Sequence, residues 1–302
     1  MSLTYGVAAL ARPTFDVPFA EDMKNRAFAA LEAAGIRTVG PRELLFDRDA
    51  AEKAVAEIKA AGPIDLLLIL QVTFTDATMT VKLAKEATTP IAIWAVPEPR
   101  IGGRLRLNAY CGLNLAAHAL GRAGVPHGWL YAAPDAPGLA ASLRELAQPA
   151  TPRPSRARPV PAAEYAQADR VIDSLRGAKI TVVGKHPDGF DTCEYDENLL
   201  FKLAGMRIET VQLAQLFDKA RGMDPARVGA VRAGAADELE GLDGVDQEQL
   251  DRSFRVFCAL EDVQQESSAK GLAVRCWPEM FTEYGCAACG PMAMMNQKQV
   301  PA

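Results

Sequence analysis

The sequence lacks a long hydrophobic run, and it lacks an excess of basic residues. No apolar stretch approaches the roughly 20 residues that a membrane-spanning helix needs, so we expect no membrane partner. The formal net charge of −5 argues against a nucleic-acid partner, because such partners usually require a basic surface. The amino-terminal segment MSLTYGVAALARPTF has no basic region before its short apolar run. A secretory signal is therefore not indicated, and we expect a cytoplasmic location.

Two nucleotide-binding motifs are also missing. No G-x-G-x-x-G follows the first predicted strand and no Walker A motif occurs, which argues against nucleotide binding.

Six cysteines spread over 302 residues fit reduced thiols better than a disulfide framework. Cys286 and Cys289 form a single C-x-x-C. A zinc site would need two further ligands, and a redox role would need a thioredoxin-like context. Packing of small residues is therefore the favoured interpretation of the two cysteines.

Strand and helix patterns alternate along the chain. The strongest strand signal is the aliphatic run IDLLLIL at 64–70, which is typical of a central parallel strand covered on both faces. Five prolines fall within 149–161, which predicts an extended linker between domains at 1–148 and 162–302. The predicted fold class is α/β, with two consecutive doubly wound, flavodoxin- or Rossmann-like three-layer units that have parallel sheets.

Several predicted strands end in loops that combine aromatic rings with polar or charged groups. Such loops suit a polyhydroxylated ligand such as a sugar, because rings cover C–H faces and polar groups bind hydroxyls. For any single loop, shaping and packing of a turn is the simpler interpretation. The candidate ligand-binding residues are Arg12, Phe15, Gln71, Phe74, Glu98, His186, Phe190 and Trp277.

Two further sets of charged residues are weaker candidates. Glu279 and Glu283 are four residues apart and could share a helical face as an acid/base pair, although surface carboxylates are the favoured interpretation. A second set could hold a phosphate or sulfonate on a substrate, although exposed, solvated charge is the default for such residues. It joins Gly102 and Gly103 with Arg100, Arg104 and Arg106.

Three motifs resemble the L-fucose/L-arabinose isomerase family. They are RPTFD at 12–16, HPxGF at 186–190, and AVRCWP at 273–278 followed by a Gly/Cys/Met-rich helix. The resemblance implies a two-part α/β amino-terminal region followed by a separate carboxy-terminal domain. It also implies aldose–ketose isomerisation with a divalent metal, usually manganese, in which carboxylates move a proton through an enediol.

The resemblance further implies a homo-oligomer in which Arg12, Gln71 and Phe74 act across a subunit interface. It carries over no metal ligand, because the family's metal-binding residues come after the Met-rich helix and this sequence stops at Ala302. We therefore predict the amino-terminal part of a divalent-metal-dependent isomerase, inactive as this chain alone and holding no metal itself. The alternative is a non-catalytic two-domain protein that binds a sugar. A redox role of the chain ranks third, after an isomerase and a sugar-binding protein.

Overall fold

The computed structural model describes residues 3–99, 105–148 and 161–302. It divides into two compact units. Unit 1 comprises Met1–Ser155 with Asp188–Cys193, and unit 2 comprises Arg156–Pro187 with Glu194–Ala302. The predicted linker up to residue 160 lies outside the described residues, as do Gly102, Gly103 and the arginines at 100 and 104.

Unit 1 is built on a five-stranded parallel sheet with the order β2-β1-β3-β4-β5. The strands are β1 (Thr4–Leu10), β2 (Arg37–Val39), β3 (Leu66–Gln71), β4 (Ile91–Ala95) and β5 (His127–Tyr131). The helices are α1 (Val17–Ala33), α2 (Arg48–Ala60), α3 (Thr78–Glu86), α4 (Ala109–Arg122) and α5 (Leu139–Glu145).

The aliphatic run forms most of the central strand β3, and all of the strand's residues are buried. Alternate residues of β3 belong to two apolar layers, because neighbouring side chains of a strand point to opposite faces of the sheet. Leu68 packs with Leu31 of α1 on one face, and Ile69 packs with Leu83 of α3 on the other. Trp94 of β4 is fully buried and its indole N–H donates to the Ala132 carbonyl at 2.9 Å. The predicted three-layer architecture is confirmed for unit 1.

The strand order places a topological switch between β1 and β3. The connection from β1 leads to β2 on one side, and the next connection returns to β3 on the other side. Chain segments therefore leave this point in opposite directions and open a crevice at the carboxyl ends of β1 and β3, which is where open α/β sheets bind ligands.

Unit 2 contains a three-stranded parallel sheet with the order β7-β6-β8. The strands are β6 (Lys179–Val183), β7 (Arg207–Val211) and β8 (Gly271–Val274). The helices are α6 (Ala162–Ser174), α7 (Glu197–Ala204), α8 (Leu213–Arg221), α9 (Pro225–Glu238), α10 (Gln247–Ser267) and α11 (Cys289–Gln297). Here the switch lies between β6 and β8, so the exits of these two strands also meet at a carboxyl edge.

The longest helix supplies much of the core of unit 2. Phe254, Phe257 and Leu260 of α10 are buried, and they pack with Phe217 of α8. Within the described ranges of the chain, no helix is both long and apolar enough to cross a membrane.

Candidate functional site

The exits of β1 and β3 are joined by an ion pair at the switch point of unit 1. The Arg12 guanidinium pairs with the Asp76 carboxylate, and the two side chains are only 18% and 11% exposed. The Arg12 backbone N–H donates to Thr73 Oγ1 at 2.8 Å. Asp76 also accepts from the Thr78 N–H at 2.8 Å, at the start of α3. Because the pair is largely buried, breaking it would leave a desolvated charge.

Three of the predicted aromatic residues form a row. The Phe15 and Phe74 rings are 6.3 Å apart between centroids, and the Phe74 and Phe190 rings are 5.6 Å apart. Both pairs are tilted, a favourable arrangement for aromatic rings. Phe190 also packs with the buried Leu115 and Ala119 of α4. Phe190 therefore anchors its own segment, whereas Phe15 and Phe74 follow the crevice strands.

Gln71 ends β3 and is fully buried. Its Nε2 atom donates to the Thr73 carbonyl at 2.6 Å and to Thr75 Oγ1 at 3.0 Å. In this conformation the Gln71 amide closes the loop that carries Phe74. Its predicted contact with a ligand stays a prediction, and it would require this loop to open.

We expect Gly112→Ala to lower the free energy of unfolding of unit 1 by about 1–3 kcal/mol, because overpacking forces neighbouring groups to move. A Cβ at Gly112 of α4 would lie 2.9 Å from Gln71 Nε2. The matched control is Gly121→Ala in the same helix, where a Cβ would meet nothing within 4 Å. That control should leave the stability equal or raise it by up to about 1 kcal/mol. Urea unfolding of both variants measures the difference, and equal effects would contradict the contact.

Glu98 fixes residues 106–108, which lead into α4. Its carboxylate accepts hydrogen bonds from three consecutive backbone N–H groups, those of Arg106, Leu107 (3.0 Å) and Asn108 (2.7 Å). These charge-assisted bonds satisfy three backbone N–H groups immediately before α4. Glu98 therefore organises residues 106–108 in this conformation, and its predicted role in ligand binding stays a prediction.

Arg106 and Leu107 also bond to the segments that follow β1 and β3. The Arg106 carbonyl accepts from the Asp16 N–H at 3.0 Å, and the Leu107 carbonyl accepts from the Phe74 N–H at 2.7 Å. Hydrogen bonds from the Phe19 N–H and from Arg106 lower the pKa of Asp16. Asp16 is therefore ionised at neutral pH and holds residues 106–108 through Arg106.

The segment Asp188–Cys193 packs within unit 1. The Gly189 carbonyl accepts from the Ala77 N–H at 3.1 Å, at the start of α3. Arg122 Nη1 donates to the Asp191 carbonyl at 3.1 Å. Together with Phe190, these bonds fix the second half of the HPxGF motif against α3 and α4.

In unit 2, an ion pair shapes the exit of β8. Arg275 Nε donates to Glu279 Oε2 at 2.7 Å, and Arg275 Nη2 contacts the other carboxylate oxygen. Arg275 Nη1 donates to the Lys185 carbonyl at 2.8 Å, which joins the exits of β6 and β8. His186 and Trp277 are half-buried in the same two exits. Both oxygens of Glu279 are thus occupied while the pair is intact.

The two candidate acid/base carboxylates have different surroundings. Glu279 directly precedes the π-helical turn Met280–Tyr284, whereas Glu283 is exposed within it. The Glu283 carbonyl accepts from Arg221 Nη2 at 3.2 Å, which holds the turn in place. Their predicted acid/base role stays a prediction.

The described residues do not fit the manganese ion that the family resemblance implies. Among them, no group of three His, Cys, Asp or Glu side chains is arranged to hold a metal. Manganese prefers carboxylate, carbonyl and water oxygens as ligands, yet the carboxylates at the two carboxyl edges are engaged by arginines or backbone N–H groups. These carboxylates are Asp16, Asp76, Glu98 and Glu279. No step of a reaction is therefore assigned to a metal on these residues.

The C-x-x-C cysteines lie in different environments. Cys286 is buried, and its burial raises the pKa of the thiol. Cys289 is exposed at the start of α11. A raised thiol pKa disfavours the reactive thiolate, so the structure supports the packing interpretation for Cys286.

Sequence reasoning missed two residues that hold the candidate loops. The role of Asp76 could not be predicted from the sequence, because its pairing with Arg12 depends on β1 and β3 being neighbours in the sheet. Arg275 had a local signal, because the opposite charge of Glu279 lies four residues later in the sequence.

Comparison with known families finds a match for most of unit 1. Residues 6–151 match the family model described as "Fucose/sulfoquinovose isomerase, N-terminal domain". Over these residues the chain matches the N-terminal domain of that family, and the resemblance to fucose isomerase-like proteins is confirmed.

Curated relatives extend the similarity to almost the whole chain. A protein named "Sulfoquinovose isomerase" from Alkalicoccus urumqiensis is 25% identical over 301 residues, which is 99% of this chain and 62% of the relative. A protein of the same name from Priestia aryabhattai is 26% identical over 290 residues, covering 95% of this chain and 60% of the relative. The chain thus spans about 60% of the length of these relatives.

Proposed function

We propose that this chain supplies the sugar-binding part of an aldose–ketose isomerase, with sulfoquinovose, the sugar in the relatives' name, as the first candidate substrate. The observation that carries the proposal is the crevice between β1 and β3. A buried ion pair and an aromatic row meet there, in the domain that matches the isomerase family. Rings that cover a sugar face and charges that fix its orientation are the features such a site needs.

Aldose–ketose isomerisation moves a proton between neighbouring carbon atoms and requires an acid/base group beside a polarised oxygen. In our proposal Phe15 and Phe74 cover the sugar ring, and Arg12, oriented by Asp76, forms one wall of the site. A requirement for manganese stays part of the proposal, with its ligands expected from groups other than those described. A cytoplasmic location and a homo-oligomer likewise stay predictions.

A sugar-binding protein without catalysis is the second candidate. One observation favours it: among the described parts of both carboxyl edges, the carboxylates Asp16, Asp76, Glu98 and Glu279 are held by arginines or backbone N–H groups. A general base needs access to the proton that it removes. A carboxylate held in this way would have to leave its partner first.

Solvent-deuterium exchange and binding together test the proposal. We expect the chain to bind sulfoquinovose saturably in a titration, and Phe74→Ala to weaken this binding about tenfold through loss of ring contact. The matched control is Tyr165→Ala on α6, since Tyr165 is 59% exposed and should not affect binding. In D₂O, we expect no deuterium at C2 of the sugar with the chain alone, with or without Mn²⁺.

The two readouts separate the candidate functions. Exchange that depends on Mn²⁺ would place the chemistry within these residues and contradict the predicted inactivity of the chain alone. Sugar binding without deuterium exchange agrees with both candidate functions. Exchange by a carboxy-terminally extended chain would then favour the isomerase. Failure to bind any sugar would remove both candidates.

A further inference from the structure

Arg106 is fixed in place at the rim of the crevice. Its Nε donates to Asp16 Oδ2 at 2.8 Å, and its guanidinium lies 3.8 Å from the centroid of the Phe19 ring. Its backbone N–H donates to the Glu98 carboxylate, and its carbonyl accepts from the Asp16 N–H. A side chain held in this way loses little freedom when a ligand binds, which favours affinity.

The terminal amino groups of Arg106 remain available to a ligand. The side chain is 38% exposed. In the part of the chain that the structure describes, Nη1 and Nη2 donate no hydrogen bond, whereas Nε is used by Asp16. Two parallel N–H groups of this kind match two oxygens of a phosphate or sulfonate.

The other arginines of the described candidate loops are already committed. Arg12 is largely buried and paired with Asp76. Arg275 uses Nε, Nη1 and Nη2 on Glu279 and the Lys185 carbonyl. Arg106 therefore differs from both in combining a fixed guanidinium with accessible donors.

The position of Arg106 relates it to the aromatic row. The neighbouring Leu107 carbonyl accepts from the Phe74 N–H at 2.7 Å, and Asp16 directly follows Phe15. Arg106 is therefore connected to Phe74 through Leu107 and to Phe15 through Asp16, which places it beside the proposed sugar site. A sulfonate or phosphate group on a sugar bound there matches the paired N–H groups of Arg106.

We propose that Arg106 is the residue that binds the oxyanion of the substrate and so distinguishes a sulfonated or phosphorylated sugar from a neutral one. The inference rests on the proposed sugar-binding function and deepens it. Asp16 and Phe19 are positioning residues, because they act on the ligand through Arg106.

Calorimetric titration of the full chain with three probes tests the inference: sulfoquinovose, glucose 6-phosphate and glucose. We expect the chain to prefer at least one anionic sugar over glucose by about 10- to 100-fold, as hydrogen bonds between charged groups contribute this much. Arg106→Gln should reduce the preference to within about threefold, through weaker binding of the anionic sugar. Arg106→Lys should keep part of the preference, because lysine keeps the positive charge but lacks the two parallel N–H groups of the guanidinium.

Arg26→Gln is the matched control. Arg26 lies on α1 of the same unit, is 43% exposed and pairs with Asp135 at 2.8 Å. This variant should keep the full preference for the anionic sugar. Asp16→Asn is a second variant that does not touch the ligand, and it should lower the preference by loosening Arg106.

Each outcome bears on one proposal or on both. Stronger binding of sulfoquinovose identifies a sulfonate site, and stronger binding of glucose 6-phosphate identifies a phosphate site. Equal affinity of the unaltered chain for all three sugars overturns the role of Arg106 and leaves sugar binding intact. Loss of glucose binding in Arg106→Gln also overturns it, because the side chain would then support the whole site. If no sugar binds, the proposed function fails and this inference fails with it.

Discussion

Asp76→Asn is expected to lower the free energy of unfolding of unit 1 by about 2–4 kcal/mol, since removing one partner of a largely buried ion pair leaves the other charge desolvated. Asn keeps the shape of the side chain and can still accept from the Thr78 N–H, so the change isolates the charge. Arg12, which is 18% exposed, would then face an uncharged amide. Burial lowers the pKa of Arg12, but an arginine keeps its charge at neutral pH and the penalty remains.

Urea unfolding followed by tryptophan fluorescence measures this effect. In a Trp277→Phe background, the remaining tryptophans, Trp94 and Trp129, both report on unit 1. The matched control is Asp135→Asn, which removes a surface pair whose carboxylate is 71% exposed. The control should change the stability by less than about 1 kcal/mol. Similar effects of the two variants would mean that the pair of Arg12 and Asp76 is solvated in solution.

Gly189→Ala is expected to destabilise unit 1 by about 2–3 kcal/mol, by combining backbone strain with a steric clash. Gly189 has a φ of 75°, in the left-handed region that favours glycine. A Cβ there would lie 2.9 Å from Asp76 Oδ1 and 2.9 Å from Thr78 Cγ2. The substituted residue would push its segment away from the start of α3.

Gly62→Ala separates the two causes. Gly62 has a φ of 98°, but a Cβ there would meet nothing within 4 Å. This variant should show only the backbone cost of about 1 kcal/mol. Hydrogen exchange gives a local readout: the Ala77 amide, which donates to the Gly189 carbonyl, should exchange faster in Gly189→Ala only. Equal losses of stability and unchanged exchange would show that the contact is unimportant.

The regular elements could largely be predicted from local patterns. The central strand Leu66–Gln71 overlaps the aliphatic run at 64–70, because a continuous aliphatic run is typical of a strand buried on both faces. The helix at Leu139–Glu145 was not predicted. Its 7 residues are too few to establish a helical period.

The candidate site could be predicted only in part. Arg12, Phe15, Phe74 and Glu98 lie beyond carboxyl ends of strands, as the alternation of elements implied. Their partners could not be predicted, because those contacts require the strand order and the path of each loop. The hydrogen bond between Ala77 and Gly189, for example, joins residues more than one hundred positions apart in the sequence.

The return of Asp188–Cys193 to unit 1 makes that unit a discontinuous domain. The residues that match the isomerase domain family end at 151, so a protein fragment cut there would omit Gly189 and Phe190. It would expose the apolar surface formed by Ala77, Leu115 and Ala119, and it would leave the Ala77 N–H without its acceptor. A short piece of chain downstream of the matched residues therefore completes the packing of the first unit.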